Sequence, residues 1–312
     1  MNTTQTSFPL PAVESKPIIP LLVSDLKKSF GRRTVLDKIS FHIERGQVVG
    51  LLGRNGAGKS TLFHIMHGLL APDAGRVEIC GIDPFLDPTA ARCKVGWVSE
   101  ECHFPIWMTC ADLEYFLKPF FPSWDSPTLA TLVKDLDIPV DQPNGEMSKG
   151  SRRKLMLVLA LAPKPDVLLL DEPLAGLDLV VRDQILSTLI KTMAEAGQTI
   201  LLSSHEITLL EGVCDRLLLL SGKHLAIDDS IESLKKRVRR VVATLAAPVT
   251  ALPSHPDILS AHGHGCELDL VVRAGDDQSA LALLANLQVR ESRVSGLSLP
   301  EIFTHLTAGK EA

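Results

Sequence analysis

A short glycine-rich segment carries the residues with the clearest chemistry. Residues 53–61 read Gly-Arg-Asn-Gly-Ala-Gly-Lys-Ser-Thr, directly after the apolar run 47–52 and before a stretch of helical character. Glycines at this spacing let the backbone turn tightly and direct several N–H groups into one concavity that suits a polyphosphate. Lys59 supplies a point charge for phosphates, and the Ser60 hydroxyl can bind Mg²⁺. This P-loop predicts a nucleoside triphosphate site, and a glycine turn without a ligand is the alternative.

Two carboxylates follow a second apolar run. Residues 168–173 read Leu-Leu-Leu-Asp-Glu-Pro, which places Asp171 and Glu172 at the carboxyl end of a predicted buried strand. Parallel α/β sheets bind their ligands at that edge. Asp171 can hold Mg²⁺ and Glu172 can polarise an attacking water, since phosphoryl transfer needs charge neutralisation and an aligned nucleophile. Acids after a strand also serve as helix N-caps, which is the structural alternative.

Two further polar positions lie at the ends of predicted elements. His205 follows the predicted strand 199–203 and can reach a γ-phosphate there; a purely structural histidine is the alternative. Residues 147–151 read Met-Ser-Lys-Gly-Ser and begin a predicted helix. Ser148 suits an N-cap, and the same helix start can bind a second phosphate group. With the P-loop site already enclosed, this helix start would serve the nucleotide of a neighbouring copy.

Alternating strands and helices must position these residues. The order predicts an antiparallel β layer, then a helical block, then buried strands between helices, which indicates an open α/β sheet. Apolar runs beyond residue 233 predict a small appended α+β domain. The predicted elements are strands 19–30, 39–43, 167–170, 199–203 and 216–220 and helices within 105–138, 148–162 and 179–196.

Charge and composition narrow the function classes. Of 312 residues, 45% are hydrophobic and 22% are charged, and the formal net charge of −5 argues against a nucleic-acid partner. The basic run 235–240 predicts a solvated helix face, and contact with anionic lipid is the alternative. The six cysteines form no C-x-x-C pair and are predicted to be reduced and buried.

No segment of the sequence has the pattern of a membrane span or signal peptide. The longest apolar runs are far shorter than the roughly 20 residues that cross a bilayer. Residues 1–20 lack a basic start and a continuous apolar stretch, so they are predicted to form a flexible extension. A role at the membrane would therefore need a partner.

Taken together, the motifs resemble, in order and spacing, the nucleotide-binding subunits of ABC transporters. The resemblance covers about 21–228 and rests on residues 53–61, 148–151, 168–172 and 175–178 and on His205. It implies an α/β P-loop cassette with a mixed sheet core, an antiparallel β layer and a helical subdomain. The implied domains are a flexible extension 1–20, a cassette 21–232 with its helical subdomain at about 103–163, and an accessory α+β domain 233–312.

The resemblance also implies a role for each site residue. Two chains would pair head to tail and hold each ATP between one P-loop and the signature residues Ser148, Lys149 and Gly150 of the other. Glu172 and His205 would act in hydrolysis, and Asp178 would couple the two sites. The implied ATP contacts are Phe30, which would stack on adenine, Gly53, Arg54, Asn55, Gly56, Ala57, Gly58, Lys59, Ser60, Thr61, Glu100 and Asp171, with Mg²⁺ held through Ser60 and Asp171.

Two positions depart from the family pattern. Family members commonly carry glutamine where this chain has Glu100, which changes the charge of that position. The signature reads Met-Ser-Lys-Gly-Ser rather than Leu-Ser-Gly-Gly-Gln, so Lys149 replaces a glycine. The serine and the second glycine remain, and activity is expected to survive.

The end of the chain suggests a subgroup. Residues 298–303 read Ser-Leu-Pro-Glu-Ile-Phe and look like the end of ATP-binding subunits of ABC-2-type exporters, whose membrane subunits are separate chains. The resemblance implies a transmembrane permease and a second copy or paralogous subunit as partners, at the cytoplasmic face of the membrane. Of the aromatic residues in the helical block, one or two are expected to be exposed for docking; the six are Phe104, Trp107, Phe116, Phe120, Phe121 and Trp124.

Two alternative functions stay open at the level of sequence. One is a soluble ABC-type ATPase acting on ribosomes or DNA, although this chain has a single P-loop and no sustained heptads. The other is a regulatory subunit that holds ATP without hydrolysing it, which Glu100 and Lys149 would favour.

Overall fold

The computed structural model describes residues 18–100, 104–285 and 287–308. Residues 1–17 of the predicted N-terminal extension and Cys102 therefore lie outside the described residues. The strands are β1 (Leu21–Phe30), β2 (Arg33–Ile43), β3 (Val48–Gly53), β4 (Ala74–Ile79), β5 (Val95–Val98), β6 (Val167–Leu170), β7 (Thr199–Ser204), β8 (Arg216–Ser221), β9 (His224–Ser230), β10 (Val238–Leu245), β11 (Ile258–His264), β12 (Glu267–Arg273) and β13 (Val289–Gly296). The helices are α1 (Lys59–Met66), α2 (Pro88–Cys93), α3 (Cys110–Leu117), α4 (Ser126–Asp135), α5 (Lys149–Leu161), α6 (Leu179–Ala196), α7 (Ile207–Glu211), α8 (Ile231–Arg237), α9 (Asp277–Ala282) and α10 (Leu299–Ala308).

A six-stranded sheet forms the centre of the chain, in the order β5-β6-β7-β3-β8-β9. The first five strands in this order, including β3, are parallel, and the sixth, β9, pairs antiparallel to β8. Side chains alternate between two cores, since Val48 and Leu52 of β3 pack into one cluster and Val49 and Leu51 into another. Burial on both faces explains the continuous apolar runs of these strands. The residues after β3, β6 and β7 consequently meet at one edge of the sheet.

A three-stranded antiparallel layer, in the order β2-β1-β4, lies beside this sheet. Its buried residues, among them Leu21 and Leu36, share a core with Leu62 and Phe63 of α1. The layer therefore supports the helix that follows the P-loop.

The helical block consists of α3, α4 and α5. Asp125 is the N-cap of α4 and accepts a hydrogen bond of 3.0 Å from Thr128 N, which sets the start of that helix. Residues 153–161 of α5 are all buried, and residues 155–161 join the core cluster that also contains Leu132 and Leu136. The block thereby packs against the six-stranded sheet through α5, whose first turn carries the signature residues.

A four-stranded antiparallel sheet, in the order β11-β12-β10-β13, forms after α8. Val241 and Ala243 of β10 and Leu270 of β12 pack with Ala280 of α9 on one of its faces. The last helix, α10, contacts β11 of this sheet and also α7 and α8. No helix in the described part of the chain combines the length and hydropathy needed to span a bilayer.

The fold class predicted from the sequence is confirmed, while several elements differ from expectation. Strand β6 and helix α6 have the predicted bounds, whereas β4, β5, β9, β11, β13, α2 and α7 were not predicted. The prediction that 235–240 forms a helix face is wrong. Helix α8 ends at Arg237, and the residues from Val238 onward form strand β10, in which buried and exposed side chains alternate. The prediction that the cysteines are buried is confirmed for Cys110 and Cys214, whereas the other three described cysteines are half-buried. The domain boundaries stay a prediction.

Candidate nucleotide-binding site

The segment 53–58 joins the buried strand β3 to helix α1. Gly58 is the N-cap of α1 with a φ of 102°, and Leu62 N donates to the Gly58 carbonyl at 2.9 Å. A Cβ at Gly58 would lie 2.9 Å from Leu36 Cδ2, so a side chain here would strain the backbone and displace Leu36. The first N–H groups of a helix have no partner within it and carry positive polarisation. This end of α1 therefore offers an anion-binding concavity.

A cavity of about 530 Å³ lies at this helix end. It brings together the P-loop, the loop after β5 and the ends of β6 and β7, as the sheet order requires. Arg33 and Val35 of β2 also line it, and neither was predicted from the sequence. The lining residues are Arg33, Val35, Arg54, Asn55, Gly56, Gly58, Lys59, Ser60, Thr61, Glu100, Glu172 and His205.

A larger cavity, of about 770 Å³, lies at the opposite edge of the same sheet. Lys94, Asp166 and Gln198 line it, and they precede β5, β6 and β7. Ligands of parallel sheets bind at the carboxyl ends of the strands, where size alone does not decide the site. The candidate nucleotide site is therefore the smaller cavity.

Three charged or polar side chains form a continuous chain in the candidate site. Lys59 Nζ donates to the Gly53 carbonyl at 2.7 Å and lies 3.4 Å from Glu172 Oε1. His205 Nδ1 lies 2.9 Å from the other oxygen, Glu172 Oε2. Lys59 and Glu172 are buried, whereas the His205 side chain is half-exposed. The buried ammonium and carboxylate thus neutralise each other at the place where the P-loop would receive a phosphate.

Asp171 lies beside Lys59, Glu172 and His205, and a serine of the neighbouring strand holds it. Ser203 Oγ donates to Asp171 Oδ1 at 2.7 Å and accepts a hydrogen bond of 2.8 Å from Glu172 N. Glu172 has a left-handed φ of 48°, an uncommon conformation for a residue with a side chain. Ser203, which was not predicted as a site residue, therefore positions both carboxylates.

Glu100 lines the cavity from the loop after β5, and an arginine of α5 holds that loop. Arg153 donates from Nη1 to the Ser99 carbonyl at 2.7 Å and from Nη2 to the Glu100 carbonyl at 3.3 Å. Arg153 is itself buried. The helix that begins with the signature residues is thereby fastened to the loop that carries Glu100, a link that the sequence did not predict.

The signature residues lie outside the residues that line the P-loop cavity of the same chain. Ser148 is the N-cap of α5 and accepts a hydrogen bond of 3.0 Å from Ser151 N. Lys149 Nζ lies against Gly176, and a Cβ at Gly150 would lie 3.2 Å from a methyl group of Val181. The signature therefore packs beside the segment that leads into α6.

Asp178 and Phe30 both occupy exposed positions. Asp178 Oδ1 accepts a hydrogen bond of 3.0 Å from Val181 N at the start of α6, which is a capping interaction. Phe30 is 52% exposed at the end of β1, with Lys28 Nζ 5.7 Å from its ring centroid, and it is not among the residues that line the cavity. Arg33 and Val35 form the wall on that side.

Comparison with known proteins places this geometry in a family. Residues 36–175 match the family model described as ABC transporter. The chain is 34% identical over 290 residues to the Nod factor export ATP-binding protein I of Ralstonia nicotianae, covering 90% of this chain and 80% of that protein. It is 26% identical over 285 residues to the ABC transporter ATP-binding protein YtrB of Bacillus subtilis, covering 91% and 97%. A solved ATP binding subunit of an ABC transporter matches with a TM-score of 0.65 at 26% identity, covering 69% of this chain and 91% of that one.

The matches and the geometry agree. The relative from Ralstonia aligns over most of both chains, beyond the segment that carries the P-loop. The resemblance drawn from the motifs is therefore confirmed. This chain belongs to the ATP-binding subunits of ABC transporters, and its activity is the hydrolysis of ATP.

Proposed function

We propose that two copies of this chain, or one copy and a paralogous subunit, close head to tail around two Mg-ATP and drive a separate exporting membrane subunit. One observation carries the proposal: the P-loop lines the candidate cavity, whereas Ser148, Lys149 and Gly150 of the same chain do not. The first turn of α5 contains no acidic residue and presents Lys149 and Arg152 to solvent. An exposed helix start with this charge suits an anion supplied by another chain.

The proposed cycle starts with a change of partner at Lys59. Glu172 lies 3.4 Å from Lys59 and neutralises it. The triphosphate, with its greater charge, would take over Lys59 and leave Glu172 free to orient the attacking water. His205, which already contacts Glu172 Oε2 at 2.9 Å, would hold that carboxylate and reach the γ-phosphate. Phe30 and Asp178 keep their proposed roles in adenine stacking and site coupling.

The donor atoms near the P-loop fit Mg²⁺. The Ser60 hydroxyl lines the cavity, and the Asp171 carboxylate lies next to the cavity residue Glu172. Both provide oxygen ligands, which Mg²⁺ prefers, and bound Mg²⁺ would neutralise phosphate charge. Within the described residues, no group of three or more His, Cys, Asp or Glu side chains is arranged to hold a metal ion. Phosphate oxygens of the nucleotide and water would complete the coordination.

Exposed aromatic residues of the helical block form the proposed docking face for the membrane subunit. Trp107, Tyr115, Phe116 and Phe120 are each more than half exposed to solvent. The expectation of one or two exposed aromatics is therefore too low, since Trp107, Phe116 and Phe120 all belong to the predicted set. The Phe116 and Phe120 rings lie 5.7 Å apart, and exposed apolar residues that lie together favour an interaction site. We place the chain at the cytoplasmic face of the membrane on this basis, and the name of the Ralstonia relative supports export.

The test uses a slow-hydrolysis variant and a matched pair at Ser148. Glu172→Gln should reduce the hydrolysis rate at least about 100-fold and form a dimer with Mg-ATP, measured by light scattering after gel filtration. Ser148→Asn and Ser148→Asp both keep an N-cap acceptor for α5. Placed in the Glu172→Gln background, the neutral Asn should preserve the dimer, while the Asp charge should repel the partner's triphosphate and abolish it.

The paired design separates the two roles of Ser148. Loss of the dimer in both Ser148 variants would indicate only a structural role for this residue. A Glu172→Gln chain that binds ATP but stays monomeric, alone and with its membrane subunit, would refute the shared site.

A further inference from the structure

The last helix of the chain has two buried faces that belong to different parts of the molecule. Leu299 and Phe303 of α10 pack into the large core cluster that contains Leu210 and Leu219 beside the P-loop strand. Ile302, one position earlier than Phe303, instead packs in a small cluster with Val238 and other residues of the C-terminal sheet. Helix α10 therefore joins the C-terminal sheet to the nucleotide-binding part.

The Phe303 face of α10 reaches the back of the P-loop. A cavity of about 560 Å³ is lined by Phe303 and Thr304 on one side and by Arg54, Asn55 and His205 on the other. The same Arg54, Asn55 and His205 line the candidate nucleotide cavity. These residues therefore form a partition between the nucleotide and α10.

The start of α10 is fixed by its own sequence. Glu301 Oε2 accepts hydrogen bonds from Ser298 N at 2.8 Å and Ser298 Oγ at 2.6 Å, and Ile302 N donates to the Ser298 carbonyl at 3.0 Å. The Glu301 side chain therefore binds back to Ser298 and helps to fix the helix start. With α10 fixed at its first turn, Phe303 is held against the core beside the P-loop.

We propose that Phe303 is a positioning residue for the nucleotide site, through which the C-terminal sheet tunes nucleotide affinity. The P-loop binds phosphate through backbone N–H groups, so its affinity depends on the direction of those groups. The exposed residues Arg54 and Asn55 have a cavity behind them, and α10 forms its far wall. A shift of α10 consequently changes the wall of this cavity and the packing of Leu219, which pairs with Leu52 at the end of the P-loop strand. The inference rests on the proposed nucleotide site and adds a packing route from the C-terminal sheet to it.

The experiment compares adjacent residues of α10 in the full chain. Phe303→Ala removes a buried side chain that lines the cavity behind the P-loop and packs in the cluster of Leu52 and Leu219, and Ile302→Ala removes a similarly buried side chain that faces the C-terminal sheet. The dissociation constants of ADP and ATP, measured by calorimetry, should rise at least about fivefold in Phe303→Ala. They should stay within about twofold of wild type in Ile302→Ala. Phe303→Leu restores an apolar side chain of similar length and should recover most of the affinity.

Binding of ADP separates this inference from the proposed catalytic roles. The P-loop contacts phosphates present in both nucleotides, so both affinities should fall together, whereas a defect confined to γ-phosphate contacts would spare ADP. Amide hydrogen exchange should accelerate in residues 53–58 of Phe303→Ala but not of Ile302→Ala. Should Phe303→Ala not fold, Thr304→Trp at an exposed position crowds the same cavity and should weaken ADP binding at least about threefold.

Unchanged ADP affinity in Phe303→Ala and in Thr304→Trp, or an equal loss in Ile302→Ala, would overturn the role of Phe303. Failure of the wild-type chain to bind ADP and ATP would instead refute the nucleotide site itself.

Discussion

The nucleotide cavity and the basic segment 235–240 both concentrate charge, but they differ in how that charge is placed. In the cavity, Lys59 and Glu172 are buried and lie 3.4 Å apart at the site of the expected phosphate. The cations of 235–240 instead pair with acids near the surface. These pairs are Lys235–Glu211, Lys236–Glu232, Arg237–Asp229, Arg239–Asp277 and Arg240–Asp269.

The comparison shows why local charge density alone does not identify a site. Burying an ion pair costs desolvation energy, so such a pair is weak evidence for stability alone. A functional role accounts for it here: in the proposed cycle, the triphosphate replaces Glu172 as the partner of Lys59. Surface pairs cost little and contribute about 0–1 kcal/mol each. The paired segment 235–240 therefore favours a solvated surface over the lipid contact that its sequence also allowed.

The largest effect is expected at the buried pair. Lys59→Ala removes the cation for the triphosphate and should lower the ATP hydrolysis rate at least about 100-fold. It also leaves Glu172 buried without its cation, so the free energy of unfolding of the nucleotide-free chain should fall by about 3 kcal/mol. Urea unfolding and phosphate release measure the two effects.

A second substitution and a second lysine test this assignment. Adding Glu172→Gln to Lys59→Ala should recover part of the stability but none of the activity, because the orphaned charge is removed and the catalytic group stays absent. Lys94→Ala breaks a half-exposed pair with Asp166, 3.1 Å apart at the opposite edge of the sheet. It should change stability by less than about 1 kcal/mol. A Lys59→Ala chain as stable as Lys94→Ala would contradict the distinction between buried and surface pairs.

The sequence predicts the parts of the site that local pattern determines. Glycine spacing, Lys59 and the acids after an apolar run carry their chemistry in a few adjacent residues, and the parallel sheet brings them to one edge. Arg33 and Arg153 were missed because their contacts join residues far apart in the chain, with no motif of their own. Phe303 reads as an ordinary core residue, and only the packing of α10 places it beside the P-loop.

A third kind of group is buried without an opposite charge. His67 Nδ1 and Trp97 Nε1 are buried and have no hydrogen-bond partner among the described residues, and the two rings lie 4.5 Å apart. Burial, with Arg92 and His64 nearby, lowers the pKa of His67 from 6.5 to about 4. As the pH falls below 6.5, His67 therefore becomes protonated in the unfolded chain while it stays neutral in the folded chain.

This difference predicts stability that depends on pH. The contribution of neutral His67 is fully present above pH 6.5 and is lost progressively as the pH falls toward 4. Between pH 7.5 and 5.5 the loss should be about 1 kcal/mol. His67→Phe keeps a ring beside Trp97 and removes the titration, so its unfolding free energy should fall less over the same interval. Parallel pH profiles for the two chains would show that His67 is not the cause.

The smallest effect is expected in segment 235–240. Lys235 lies 2.7 Å from Glu211, and both side chains are partly solvated, so Lys235→Gln should change the free energy of unfolding by less than about 1 kcal/mol. The same logic applies to membrane affinity, because a cation already paired with an acid gains little from a lipid phosphate. Binding of wild type to vesicles with anionic lipid should therefore match that of Lys235→Gln, measured by co-sedimentation against neutral vesicles. A marked loss of vesicle binding in the variant would show that the ion pair opens at a membrane, and charge pairing would then no longer separate this segment from a functional site.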